Sequence, residues 1–311
     1  MALTIGVDVG GTKIAAGVVS EDGRILEEQR EKTPARDTVA TLEAIVAVIR
    51  ELSERHDVEA VGIGAAGFVG RDRSTVLFAP NLAWRDEPLG SAVQAAVDLP
   101  VVVENDVNAA AWGEFQFGAG EDVDDVLMVA VGTGVGGGIV IDGQLMRGSF
   151  GVAAEIGHLR VVPQGLPCGC GRHGCWEQYA SGRALVRQAR SRVWDGDPLL
   201  GLAGGDPNRI TGPMVTEEAK SGDALCISLL ADLGYWLGAG IASLAAVLDP
   251  GVVVLGGGVS EAGDLLLAPV QRSIDNHLPA GDNRPNLHLR TATLGNEAGL
   301  IGAADLARIR S

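Results

Sequence analysis

Apolar residues fall into short blocks whose spacing changes along the chain. "LTIGVDV" (3–9) is an apolar run of strand length ending at Val9, followed by a glycine turn, a second strand through Val19, and an Asp-Gly turn into a third. The period then lengthens: in "DTVATLEAIVAVIRELSERH", Leu42, Ile45, Val46, Ile49 and Leu52 recur on one helical face. "VEAVGIGAAGFV" returns to a strand closed by glycine, "LGSAVQAAVDL" is helical, "PVVVEN" is a strand, and "DVNAAAWGEFQFG" is helical in composition. Helix and strand alternating over short links predict an α/β protein.

The opening plan then recurs. "DVLMVAVGTGVGGGIVIDGQLMRG" again runs strand, glycine turn, strand, Asp-Gly turn, strand, so two halves built alike are expected. Further on, "GDALCISLLADLGYWLGAGIASLAAVLDPGVVVLGGGVSEA" predicts a long apolar helix, a strand and a third glycine turn. Its most apolar part, Leu233 to Leu248, is shorter than a membrane span and is bounded by Asp232 and by Asp249-Pro250, which predicts a buried core helix. Residues 195–213 read as a loop-like excursion within the second half. The expected domains are 1–115, small and completed by a C-terminal helix within 298–311, and a larger 116–297.

Composition adds limits to this picture. The 311 residues suggest about two domains. A formal charge of −16 argues against a nucleic-acid backbone or an anionic membrane as the main partner. No basic start followed by a long apolar run opens the chain, so a cytoplasmic protein without a signal peptide is expected. Cys226, set in an apolar helical stretch, reads as a packing cysteine. The 45 glycines are more than the length predicts and need a reason.

Two patterns suggest a dinucleotide site. "GIGAAG" (62–67) and "GTGVGG" (132–137) fit G-x-G-x-x-G after a strand, but each is followed by strand-like sequence, so no helix N-terminus is available for a pyrophosphate. "GVDVGGTK" does not supply the P-loop spacing either. What remains is a glycine turn between antiparallel strands, twice, each with a threonine: Gly10, Gly11 and Thr12, then Gly132, Thr133 and Gly134 with Gly136 and Gly137 behind them. Glycine lets backbone N–H groups approach an anion, so such paired turns suit a nucleotide's phosphates. Either could be a plain hairpin, but recurrence at equivalent places favours the ligand. Asp8 would face Mg²⁺ carried by the nucleotide, and Lys13 is a candidate to steer phosphates, its reach not set by the sequence. Gly256, Gly257 and Gly258 are candidates to flank the adenosine.

"VVVENDVNAAAWGE" sets Asn105 and Asp106 where a buried strand meets a helix, a usual place for ligand-binding side chains in α/β proteins. From this stretch alone Asp106 reads equally as a catalytic base or as the helix N-cap, and Glu104, two residues back, is the substitute base. The spacing Cys168-x-Cys170-x4-Cys175, with His158 upstream and His173 inside the loop, offers soft and borderline ligands for tetrahedral Zn²⁺. A disulfide is the rival, though three cysteines leave one unpaired and the expected compartment is reducing.

Taken together, "DVGGTK", "ENDVNAAAWGE", "GTGVGGG", "GGGIVIDGQLMRGSFGVAAEIGH" and "CGCGRHGC", in that order, resemble the ROK (repressor, open reading frame, kinase) family of sugar kinases. The resemblance implies a two-domain actin-like ATPase (ribonuclease H-like) fold with a cleft between the domains. It implies Asp106 as base, Asn105, Glu155, His158, Glu177 and the loop at Gly67 around the sugar, and a structural zinc on His158, Cys168, Cys170 and Cys175. The activity it implies is that of a glucokinase using glucose and ATP with Mg²⁺, forming a homodimer or homotetramer. A fructokinase or an N-acetylmannosamine kinase shares these motifs; a non-catalytic sugar sensor would not need Asp106 and both phosphate turns.

Overall fold

The computed structural model describes residues 2–309. In chain order the elements are β1 (Leu3–Val9), β2 (Lys13–Val19), β3 (Ile25–Lys32), α1 (Thr38–Ser53), β4 (Val58–Ala65), β5 (Phe68–Val69), β6 (Val76–Phe78), β7 (Arg85–Glu87), α2 (Leu89–Val97), β8 (Val101–Asn105), α3 (Asp106–Phe117), β9 (Val126–Val131), β10 (Val135–Ile141) and β11 (Gln144–Leu145). There follow α4 (Glu177–Ala180), α5 (Gly182–Arg192), α6 (Pro198–Leu202), α7 (Gly212–Lys220), α8 (Ala224–Leu248), β12 (Val252–Gly256), α9 (Asp264–His277), β13 (His288–Thr291) and α10 (Ala298–Arg308). Residues 310–311 of the expected C-terminal helix lie outside the described residues.

Two five-stranded sheets share one plan, with strand orders β3-β2-β1-β4-β8 and β11-β10-β9-β12-β13. In the first, the meander is antiparallel and β4 and β8 are added in parallel; in the second, β10–β11 is antiparallel and β12–β13 parallel. The repeat visible in the sequence is thus a repeat of sheet topology. A small antiparallel sheet, β5-β6-β7, lies in the connection between β4 and α2. The chain forms two compact units. One comprises residues up to Met128, Gly137–Ala154 and the segment from Ala292; the other comprises Val129–Gly136 and Glu155–Thr291.

In the first unit, alternation along the strands sends Ile5, Val7, Ile63 and Val103 into a core with Ile45, Ile49 and Leu52 of α1 and Leu89 and Val93 of α2, all fully buried. Each such side chain contributes about 1.5–3 kcal/mol of burial. The helical face read from the sequence is the buried one, with Leu42 at its edge. The opposite sheet face carries glycine: Gly6 pairs in register with Gly17 on one side and Gly62 on the other. A Cβ at Gly6 or Gly62 would fall on the carbonyls of Leu300 or Ala303, so these glycines form a groove for the backbone of α10. Gly113 of α3 and Gly302 of α10 bring those two helices equally close. Trp112 Nε1 donates to Asp305 Oδ2 at 2.8 Å, and Arg308 donates to Thr4 Oγ1 at 3.0 Å. Part of the glycine excess noted in the sequence is thus explained by close contacts, at Gly6, Gly17, Gly62, Gly113 and Gly302, and not by turns.

In the second unit, α8 is one 25-residue helix, long and apolar enough by composition to cross a membrane. It is mostly buried, with Leu229, Leu233, Leu237 and Ile241 inside, and Gly234 and Gly238 seat it against Pro269, Val270 and Ser273 of α9. The core-helix reading holds, and Cys226 on it is fully buried. Residues 195–213 are not a plain loop. Asp197 accepts from Leu199 N and Leu200 N and caps α6, with Pro198 in its first turn, and Asp206 caps a short 3-10 turn at Pro207–Arg209. Asp-Pro pairs begin helices as well as turns, which is why the sequence pattern misled.

Candidate active site

In the first unit, Asp8 lies near the end of β1, where burial pushes its carboxyl above the ordinary carboxylate value and the charge of Lys13 opposes that shift. The turn beyond it is cross-braced: Gly10 N donates to Lys13 O at 3.0 Å, Thr33 Oγ1 to Gly10 O at 2.8 Å, and Thr33 N to Thr12 O at 3.1 Å. Gly11 runs close to Asn81, while Thr12 and Lys13 are exposed. A Cβ at Gly299 in the first turn of α10 would lie 3.9 Å from Asp8 Cγ and 3.6 Å from the backbone carbonyl oxygen of Asp106, so the Asp8 carboxylate and the Asp106 backbone both border this helix start.

Asn105, not Asp106, caps α3. Its Oδ1 accepts from Val107 N at 3.0 Å and Asn108 N at 2.9 Å, and its Nδ2 donates to Gly67 O at 3.1 Å and to Asp106 Oδ1 at 3.0 Å. Asp106 is therefore the first helical residue, half-buried, with its carboxylate at the positive end of the helix dipole. The N-cap alternative for Asp106 is removed. So is Glu104 as a substitute base: the strand turns into a helix after it, and its carboxylate is 1% exposed, with Oε2 2.6 Å from Arg147 Nε and 3.6 Å from Arg73 Nε. Gly67, whose N–H donates to Ala65 O at 2.8 Å, packs against Phe78 and Ala79, where a side chain would not fit.

In the second unit, the turn after β9 is short. Gly132 N donates to Gly134 O at 3.0 Å, Thr133 is exposed, and Gly136 already belongs to β10. Gly137, assigned to the first unit, also lies in β10. Gly138, next along the strand, packs on Ala111 of α3. Two further segments close on the Gly132 turn: Gly182 N donates to Gly132 O at 2.8 Å, and Gly257, with φ 85°, lies against the backbone of Val131. Gly256 ends β12, and Gly258 opens a 3-10 turn with free space where a Cβ would point. Gly182 was missed by sequence reasoning; the signal is Ser181-Gly182 opening a helix, with Ser181 Oγ accepting from Ala184 N at 3.2 Å.

The cysteine loop assembles as a ligand set. His158, Cys168, Cys170 and Cys175 place one donor atom each within 4.8 Å of one another. Cys170 Sγ and Cys175 Sγ are 3.6 Å apart, and Cys168 Sγ is 3.7 Å from His158 Nδ1. A tetrahedral zinc with bonds of about 2.3 Å to sulfur and about 2.0 Å to nitrogen sets S···S near ~3.8 Å and S···N near ~3.5 Å, so the donor set fits that ion. Burial pushes the Cys168 thiol up to about 12, and a dication would offset the charge of its thiolate. All four cysteines are free thiols, and His173, the rival imidazole, is exposed and outside the cluster.

The same loop holds Glu155 and Glu177. His158 Nε2 is 4.0 Å from Glu155 Oε2, on the ring edge away from Cys168, and Gly157 makes the short helical turn fit against Val135. Burial raises the Glu155 carboxyl, His158 lowers it and Glu177 raises it further. Glu177 Oε1 accepts from Cys168 Sγ at 3.1 Å and from Gln178 Nε2 at 3.2 Å, and its Oε2 would lie 2.6 Å from a Cβ at Gly134. Trp176, fully buried between Cys175 and Glu177, donates from Nε1 to Trp236 O at 2.7 Å, and its ring leaves no room for a Cβ at Gly240 of α8.

Two α/β halves with the same sheet order and a glycine turn at the first hairpin of each define an actin-like ATPase fold, and the chain belongs to the ROK family, whose sequence profile matches residues 4–310. The glucokinase of Streptomyces coelicolor is 52% identical over 312 residues, covering 99% of this chain and 98% of its own length. The glucokinase of Halalkalibacterium halodurans is 38% identical, covering 98% of this chain and 94% of its own. Among solved structures, the ROK family glucokinase from Streptomyces griseus in complex with glucose and AMPPNP superposes with a TM-score of 0.89 at 55% identity, covering 99% of this chain and all of that one.

Proposed function

We propose that the protein is an ATP-dependent glucokinase in which Asp106 accepts the proton of the glucose 6-hydroxyl as that oxygen bonds to the γ-phosphorus and the bond to ADP breaks. The observation that carries this reading is the Asn105–Asp106 corner beside Asp8, in a chain that aligns end to end with glucokinases. Phosphoryl transfer asks a protein mainly for positioning, charge neutralisation and a proton acceptor. Asp106 supplies the last, and Asn105 Nδ2 holds the carboxylate in place. Gly10 N and Gly132 N brace their own turns, so the N–H groups of Gly11, Thr12, Thr133 and Gly134 would meet the phosphates, with Gly136, Gly137 and Lys13 in support, and Gly256–Gly258 would border the adenosine.

Mg²⁺ carried by ATP, held near Asp8, would neutralise phosphate charge. Zinc on His158, Cys168, Cys170 and Cys175 would be structural, because four protein ligands leave no open position. In that arrangement Nδ1 belongs to the metal side and Nε2, facing Glu155, is left for a sugar hydroxyl. Glu155, Glu177, Asn105 and the Gly67 loop complete the sugar contacts. We place the enzyme in the cytoplasm, where thiols stay reduced, as a homodimer or homotetramer without a nucleic-acid or membrane partner.

A coupled assay with glucose, fructose and N-acetylmannosamine, each with ATP, tests the reading. Glucose should show the highest kcat/KM; a higher value for another sugar moves the assignment to that sugar, and glucose binding without turnover indicates a sensor. Asp106→Ala should fold and bind glucose while losing roughly 10²–10⁴-fold in kcat. Near-normal turnover in that variant removes Asp106 from the mechanism.

A further inference from the structure

We propose that Arg147 is a positioning residue for this reaction, acting through the buried carboxylate of Glu104 to hold the Asp106 corner and the Gly67 loop in a single arrangement. The inference rests on the glucokinase reading.

Glu104 is the penultimate residue of β8 and its carboxylate is divided between two tasks. Oε1 accepts from Asn105 N at 3.0 Å and Asn108 Nδ2 at 3.2 Å, which fixes the start of α3. Oε2 lies between the guanidinium groups of Arg147, at 2.6 Å, and Arg73, at 3.6 Å. Arg147 reaches past this carboxylate: its Nη1 and Nη2 donate to the carbonyls of Arg71 at 3.3 Å and Gly70 at 3.0 Å. Arg73, with φ 54°, accepts from Val103 N at 2.9 Å through its carbonyl and so ties the same loop to β8. The segment after Arg147 touches this loop as well, since a Cβ at Gly151 would lie 2.5 Å from Val69 O and 2.7 Å from Arg71 N.

Two guanidinium groups around one buried carboxylate are a costly filling for a core, and an apolar plug of equal volume is often as stable. What an ion cluster adds is direction. From Glu104 the path to the reacting group is short: its Oε1 holds Asn105 N, and Asn105 Nδ2 bonds both Gly67 O and Asp106 Oδ1. A shift of the loop or of the strand end therefore moves the Asp106 carboxylate.

Arg147→Met and Arg147→Lys, assayed beside the wild type well below their melting temperatures, test this. Arg147→Met should lose about 10–100-fold in kcat with glucose, the cost of an ångström-scale misplacement. Its KM for ATP should stay within about two-fold of the wild type. Arg147→Lys keeps the charge opposite Glu104 but not the fork to both carbonyls, so it should melt close to the wild type and recover only part of kcat. A folded Arg147→Met with a lowered melting temperature and unchanged kcat would show a filler and overturn the proposal. If Arg147→Met does not fold, Arg147→Lys decides, and a wild-type kcat there overturns it equally. A wild-type protein that phosphorylates no sugar would instead remove the glucokinase reading and this inference with it.

Discussion

Asp8 is held at a thermodynamic disadvantage. Burial raises its carboxyl above 3.8, so the folded protein binds that proton more tightly than the unfolded chain, and stability falls as pH rises through the raised value. Without divalent cation, Asp8→Asn should therefore melt higher than the wild type at neutral pH, and the difference should vanish below the ordinary carboxylate range. Thermal melts in chelator at acid and neutral pH measure this; a wild type more stable than Asp8→Asn at neutral pH contradicts it. The same variant should lose turnover, a usual cost of stabilising an active site. Asp8 and Asp106 stood out in the sequence through the family resemblance, since a carboxylate where a strand meets a helix caps that helix as readily as it serves as a base, and here the cap is Asn105. Arg147 and Arg73 did not, because an ion partner brought by the fold to Glu104 leaves no spacing to read.

At the scale of elements, glycine does more than turn the chain. Gly62 sits mid-strand, where the backbone of α10 leaves no room for a methyl group. Gly62→Ala should cost at least about 1–3 kcal/mol by overpacking, read as a lower denaturant midpoint at unchanged slope. The pattern "GIGAAG" could not disclose this, since a helix crossing the far face is encoded at the other end of the chain. Gly240→Ala should act on the sugar half-site from a distance, because the methyl group would meet the Trp176 ring between Cys175 and Glu177. We expect weaker glucose binding with nucleotide binding less affected, by equilibrium titration of each ligand. Chelation of zinc should lower the melting temperature and glucose affinity together, because His158, Cys168 and Glu177 are linked. Loss of nucleotide affinity alone would show that the metal serves another purpose.

For the molecule as a whole, the duplicated plan was legible because strand, glycine turn and strand recur with the same periods, and both sheets follow. The helices in 195–213 were obscured because their caps use the residues that also make turns. The charge of −16 belongs to this scale too. Raising salt from a few millimolar to about 0.15 M shortens the screening length to about 8 Å, so the melting temperature should rise as self-repulsion is damped. A fall would indicate that specific ion pairs such as Arg192–Asp232 dominate instead.

The glycine groove for α10 also sets an order of events during synthesis. Gly6, Gly17 and Gly62 leave the ribosome well over two hundred residues ahead of the helix that covers them, which begins at Ala298. At roughly 5–20 residues per second, that sheet face waits on the order of ten seconds or more for its cover. Until then it presents bare backbone and small side chains to the cell, so a chain stopped short of α10 should be a substrate for chaperones and proteases.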